Sequence, residues 1–154
     1  MKKKDWGTAT WYLFHTLAEK LKTEYDNSAE LKLLYSHIKK ICYNLPCPDC
    51  QQHSIQTLST VNENAVTSSK SVFIRFLWQF HNKVNRDNGG KEFSFEELTA
   101  LYQKANTRLV IQNFITVMNM KGSDLRINML VTKNKNMYMH SFIDYISKNN
   151  HKFN

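Results

Sequence analysis

The chain has 154 residues, 42% of them hydrophobic and 12% aromatic, which is enough for one well-packed domain and too few for two ordinary ones. Only 4 glycines and 2 prolines are present, so a sandwich or barrel that turns every few residues is disfavoured against long helices. A net charge of +8 admits an anionic partner, whether nucleic acid, membrane surface or a phosphate-bearing ligand, although the lysines are scattered and form no patch.

Taken in chain order, Met1-Lys2-Lys3-Lys4 opens like a signal peptide, but Asp5 follows and His15, Glu19 and Lys20 interrupt the next apolar stretch. No run approaches a membrane span, so a protein without signal peptide, located in the cytoplasm, is expected. Trp11, Phe14, His15, Ala18 and Leu21 fall at helical spacing, as do Leu31, Leu34, Tyr35, Ile38, Ile41, Cys42 and Leu45. A third, short helix is predicted to start at Cys47-Pro48-Asp49-Cys50 and to carry His53, Ile55 and Leu58; Thr60 to Lys70 reads as a loop. The fourth helix bears the stripe Val72, Phe73, Phe76, Leu77, Phe80, His81 and Val84, and stops at Asn88-Gly89-Gly90. Ser94 with Glu97 forms a capping box for a fifth helix through Leu98, Leu101, Tyr102 and Ala105, with an extension through Leu109 and Phe114 to Met118. Beyond Gly122, Ile127, Met129 and Val131 alternate like a strand, whereas Tyr138, Phe142, Tyr145 and Ile146 are helically spaced.

The chemistry is concentrated in Cys47 and Cys50. Two thiols separated by two residues at a helix start can close a disulfide and reopen it, and the unsatisfied N–H groups there favour a thiolate. With Cys42 as the third cysteine there is no disulfide framework, and a lone Cys spaced with Ile38 and Leu45 is a small buried hydrophobe. Three uses of the pair compete. Cys47, Cys50 and His53 with His81 or Cys42 would make a zinc site, but no second Cys/His pair of the usual spacing is present. A thioredoxin-type exchanger would need a preceding strand, and none is predicted. Attached haem would need a histidine where Gln51 stands. A helical protein with a redox-capable pair remains, and the noncatalytic alternative, a helical binding module with a Cys/His zinc site and a basic surface, stays open at this point.

Three segments carry a resemblance. Trp6-Gly7-Thr8-Ala9-Thr10-Trp11-Tyr12-Leu13-Phe14-His15-Thr16-Leu17-Ala18, then Pro46-Cys47-Pro48-Asp49-Cys50, then His81-Asn82-Lys83-Val84-Asn85 with Lys91 are similar, in order and spacing, to the signatures of the Erv/ALR family of FAD-linked sulfhydryl oxidases. The resemblance covers residues 5 to 105 and is closest to the small viral members. It implies an all-α fold, a four-helix bundle with a short fifth helix, in residues 1–105, with residues 106–154 as a C-terminal segment packing on that core or forming a dimer or partner surface within a single domain. It implies FAD as the cofactor, with Gly7 and Trp11 from the first helix and His15, His81, Asn82, Val84, Asn85 and Lys91 as its binding residues. Trp11 would pack on the flavin, His15 and the fourth-helix residues would meet the adenosine, and Lys91, with Arg86 or Lys83, the pyrophosphate. No resident metal is implied. It implies further that Cys47 is the outer cysteine, attacked by a substrate dithiol, and Cys50 the inner one beside the flavin, with electrons passed to O2 to give H2O2.

Departures from the family pattern sharpen the expectations. Many cellular members carry an additional shuttle Cys-x-x-Cys, and Cys42 stands alone here, so a small thioredoxin-like or Cys-x-x-Cys carrier is the expected thiol protein partner and no nucleic acid is. Phe76 stands where relatives place a tryptophan, with Trp78 displaced by two positions. A homodimer is expected, in host cytoplasm or virion if the source is a virus, as the Lys- and Asn-rich composition suits.

Overall fold

A computed structural model describes residues 3–119 and 129–154. The described residues are helical, with no strand among them; eight α-helices run α1 (Lys3–Lys20), α2 (Ser28–Cys42), α3 (Pro48–Ser59), α4 (Glu63–Val66), α5 (Lys70–Asp87), α6 (Phe95–Gln103), α7 (Thr107–Asn119) and α8 (Met129–Asn149). The chain is therefore an all-α bundle, built on α1, α2, α3 and α5, with α6 as the short further helix and α7 and α8 added behind it.

Each boundary has a local cause. The Asn27 side chain accepts from the Glu30 N–H at the start of α2, and Ser69 does the same for Val72 at the start of α5. Ser94 and Glu97 close the expected capping box on α6. Helix α5 ends at Asp87, followed by Gly89 at φ 72°, a left-handed conformation that suits glycine. The expected continuous fifth helix divides in two. Asn106 accepts from the Leu109 N–H at 3.1 Å and caps a new helix, α7, so the chain turns at residues 104–106. Within the expected loop at 60–70, Asn62 caps the single turn α4. Met129 and Val131 belong to α8, not to a strand, because the helical stripe Tyr138, Met139, Phe142 and Tyr145 continues the same helix; Ile127 lies outside the described residues.

One hydrophobic core joins all of this. Leu13, Phe14 and Leu17 of α1, Leu34, Tyr35 and Ile38 of α2, and Phe73 and Leu77 of α5 share it with Phe114 and Met118 of α7 and Phe142 and Tyr145 of α8. Helix α7 packs on α1 and α8 on α2. The last residues return to the end of α1, where Lys22 N–H donates to Lys152 C=O at 2.9 Å and Asn154 N–H to Lys20 C=O at 2.8 Å. Lys152 Nζ reaches Glu30 at 2.8 Å from a site where both side chains are largely covered. None of the described helices is long and apolar enough to cross a membrane.

Phe114 is fully buried at the joint between α7, α1 and α8. Phe114→Ala should therefore lower the unfolding free energy by about 3–5 kcal/mol in chemical denaturation, the usual cost of emptying an aromatic core site. A loss below about 1 kcal/mol would mean that α7 is not part of the cooperative core.

Candidate active site

Helix α3 begins with a cysteine acting as its own cap. Cys47 has extended backbone angles, its Sγ accepts from the Cys50 N–H at 3.2 Å, and Pro48 follows at the first helical position, where a missing N–H costs nothing. Cys47 and Cys50 are joined by a disulfide with Cα atoms 5.1 Å apart. Gln51 Nε2 donates to Leu45 C=O at 2.5 Å and fixes the turn that brings α3 back from α2.

Cys50 opens onto a cavity of about 560 Å³ between α1, α3 and α5, and Cys47 does not line it. The α1 wall carries Trp6, Gly7, Thr10, Trp11 and Phe14, a stripe at helical spacing; Phe80, Val84 and Asn85 of α5 face it, and Cys42 and Leu45 close the back. Trp6, Trp11, Phe14 and Phe80 give the cavity an aromatic wall suited to a flat ring system, and Thr8, Asp49, His53, Asn85 and Asn88 supply polar groups around it. The Cys42 thiol, in that back wall, is pushed up to about 12 by burial, so it is inert.

Of the residues singled out in the sequence, Gly7, Trp11, Val84, Asn85 and Cys50 come together on this cavity. His15, His81, Asn82 and Lys91 do not line it. His81 instead lies flat on Trp11, ring centroids 4.0 Å apart at 7°, and His15 Nε2 meets His81 Nδ1 at 2.9 Å. Tyr102 stacks on the far side of His15 at 4.6 Å. The two histidines thus form a second layer that sets the plane of Trp11. Asn82 is occupied as well: its side chain donates to Phe93 C=O at 2.8 Å and accepts from Phe93 N–H at 2.9 Å. Asn85 Nδ2 donates to Lys91 C=O at 2.8 Å, and Gly90 N–H to Asn85 C=O at 2.7 Å, so the two amides strap residues 90–93 onto α5. Lys91 is exposed beside this strap. Trp78 points away from the cavity, donating to Phe93 C=O at 2.7 Å and meeting Phe95 edge-on.

Sequence reasoning left out Trp6, Thr10, Phe80, Asp87 and Asn88, which also line the cavity. Trp6 and Thr10 lay within the first motif, four apart and in line with Phe14 on one face of α1, in the row next to Gly7 and Trp11. His53, weighed as a zinc ligand, lines the cavity too, and no group of three or more metal-binding side chains occurs among the described residues.

A family model, Erv1 / Alr family, matches residues 8–105, the stretch that supplies all of the described cavity lining except Trp6 and Gly7. The chain belongs to the Erv1/Alr family. It is 31% identical over 104 residues to FAD-linked sulfhydryl oxidase ERV1 of Arabidopsis thaliana, covering 66% of this chain and 52% of that protein. It is 29% identical over 107 residues to the protein of the same name from rice, covering 66% and 51%. Protein 096R of Invertebrate iridescent virus 3, named after the FAD-linked sulfhydryl oxidases, is 29% identical over 82 residues, covering 53% and 55%. The chain thus spans about half the length of these relatives. No solved structure matches it. An Erv1/Alr chain with a viral relative among its matches fits the resemblance to viral members.

The histidine layer behind Trp11 must be neutral. Burial holds His81 down to about 4 and His15 well below the ordinary imidazole value, His81 being the second influence on His15. Because both values are lower in the folded state, the unfolded chain binds more protons as the solution is acidified. Their contribution is intact above about pH 6.5 and is lost as pH falls from there toward about 4, amounting to about 3 kcal/mol for His81 alone. Chemical denaturation followed by tryptophan fluorescence should show this loss between pH 7 and pH 4. A stability that does not change over that window would mean that the histidine pair is not buried uncharged.

Proposed function

We propose that the protein is an FAD-linked sulfhydryl oxidase that forms disulfides in protein thiols. The observation that carries this reading is the placement of Cys50, but not its disulfide partner Cys47, on an aromatic-walled cavity wide enough for a flat ring system. Membership of the Erv1/Alr family and relatives named as FAD-linked sulfhydryl oxidases support it. The residues fit the group: Trp6, Trp11, Phe14 and Phe80 offer faces and edges to an isoalloxazine, while Thr8, Asn85 and Asn88 offer hydrogen bonds to its polar extensions. Bound FAD supplies a two-electron acceptor and hands the electrons on to O2.

The protein's own part is positioning and thiol exchange. Cys47, at the exposed start of α3, is the sulfur that a substrate thiolate attacks; the second substrate thiol resolves the mixed disulfide, leaving Cys47 and Cys50 reduced and the substrate oxidised. The N–H of Cys50, aimed at Cys47 Sγ, and the positive end of α3 make Cys47 a good leaving sulfur. Cys50 then faces the cavity with Trp11 held behind it by the histidine layer. His15 and His81 reach the cofactor only through Trp11 in this arrangement, and Asn82 serves the site by holding residues 90–93; Gly7, Trp11, Val84 and Asn85 are the direct cofactor residues, with Lys91 near the phosphates. Residues 1–105 carry the chemistry and residues 106–154 brace it. The partner is a small thioredoxin-like or Cys-x-x-Cys dithiol carrier able to reach Cys47. Exposed Leu101 and Leu109 give the homodimer reading a surface, which sedimentation would test.

Purified protein should be yellow and release H2O2 with dithiothreitol. Cys50→Ser should abolish thiol-driven bleaching of the flavin absorbance. Cys47→Ser should keep the flavin, lose turnover, and gain broad absorption at longer wavelength from a thiolate held against the ring. Trp11→Ala should lower flavin content at least about tenfold, since stacking and enclosure of an aromatic body are worth more than 1 kcal/mol. A colourless protein that carries zinc would overturn the proposal in favour of a binding module, and a long-wavelength band in Cys50→Ser but not in Cys47→Ser would exchange the roles of the two cysteines.

A further inference from the structure

One turn beyond Cys50 on α3, His53 lines the same cavity, and its Nε2 meets Asp87 Oδ2 of α5 at 2.8 Å. A helical side chain leans back over the preceding turn, so the imidazole of residue 53 covers the turn that carries Cys50. Its other nitrogen, Nδ1, has no hydrogen-bond partner among the described residues. The side chain is 29% exposed, enough to exchange protons with water while remaining a wall of the cavity.

The surroundings of Cys50 make a proton acceptor necessary. Asp49, the neighbouring residue on α3, lines the cavity and opposes a second negative charge there. The helix end chiefly serves Cys47, which occupies the cap position and takes the N–H of Cys50. Among the residues whose side chains are described, α1 contributes Trp6, Gly7, Thr8, Thr10, Trp11 and Phe14, and α2 with the turn after it Cys42 and Leu45, none of them a cation. Lys83 of α5 spends its charge on Asp87 at 2.7 Å. Among the described residues that line the cavity, the imidazole of His53 is the one group that can become positive.

We propose that His53 takes the proton from the Cys50 thiol, and that Asp87 is the positioning residue that fixes and stabilises the resulting imidazolium. Attack of the substrate thiolate on Cys47 breaks the S–S bond and expels Cys50 as a thiolate; where that thiolate has taken a proton from water, Cys50–SH and neutral His53 become Cys50–S⁻ and protonated His53, with no change in electron count. Water at the exposed edge of the ring then accepts the proton. Asp87 suits the task because Lys83 and His53 both hold its carboxyl below the usual range, so it stays a carboxylate across the working pH. This inference rests on the oxidase reading for its purpose, but its test does not.

In the Cys47→Ser background, the rate of Cys50 alkylation by iodoacetamide is measured against pH by peptide mass spectrometry; buried Cys42 does not compete. His53→Gln should move the alkylation midpoint up by about one pH unit or more, an approximately tenfold slower reaction below the midpoint, and Asp87→Asn should move it in the same direction by less. Circular dichroism and thermal unfolding should be unchanged, because both side chains are partly solvated. Midpoints in His53→Gln and Asp87→Asn equal to the parent's would overturn the proposal; if His53→Gln failed to fold, the Asp87→Asn midpoint alone would decide. Flavin content and peroxide release judge the oxidase reading separately. A colourless protein with a shifted midpoint sinks that reading and leaves the proton acceptor standing, and a yellow, active protein with unshifted midpoints does the reverse.

Discussion

Trp11 lies flat on His81, and His81 is tied at 2.9 Å to His15, so two helices that supply opposite walls of the cavity meet through one uncharged stack. Everything at the site depends on that stack staying neutral. Between two neutral imidazoles one ring can donate and the other accept in the 2.9 Å contact; a proton added to either ring would place a charge among Trp11, Phe80 and Tyr102, with no carboxylate hydrogen-bonded to either ring among the described residues. The rigidity of Trp11 follows, and with it the width of the slot that Cys50 faces. Tyr102 extends the stack to α6, which ties the cavity to a helix that contributes nothing to its lining.

The asparagines show why side chains of one motif divide their work. Asn82 and Asn85 sit three apart on α5 and both hold backbone of residues 90–93. Only Asn85 also reaches the cavity. Trp78 joins the same strap through its indole N–H, from outside the cavity.

Periodicity made the main helices legible because each has a wide apolar stripe and a polar cap: Asn88-Gly89-Gly90 ended α5, and the Ser94–Glu97 pair opened α6. It failed where a single side chain outweighs the stripe. Asn106, an ordinary polar residue in a run that otherwise continues the helical pattern, caps α7 and breaks the fifth helix in two. It failed again at Met129 and Val131, since three alternating positions cannot separate a strand from the first turn of a long helix. Type and spacing spoke together for Trp11 and Cys50, and both line the cavity. Whether a buried histidine touches a ligand or supports the residue that does is a matter of which neighbour lies on its other face, and no spacing in the chain records that for His15 and His81.

Helix α1 is the clearest case of sequence constrained by more than one neighbour. Trp6, Thr10, Trp11 and Phe14 look toward the cavity or its rim, while Ala9, Leu13, Leu17, Ala18 and Leu21 are buried elsewhere, so almost no side of the helix is left for water. A helix apolar on one stripe can sit on a bundle surface; one apolar nearly all round requires cover on every side. Helix α5 and the cavity account for one side, and α7, from beyond residue 105, covers another. The terminal residues then fasten to the end of α1 through Lys22 and Lys20 backbone groups. The segment after residue 105 is thus written into the first helix: the apolar residues of α1 that do not face the cavity are covered by α7 together with α5 and α6. The wall that carries Trp11 is held from outside the family-matched region as well as from within it.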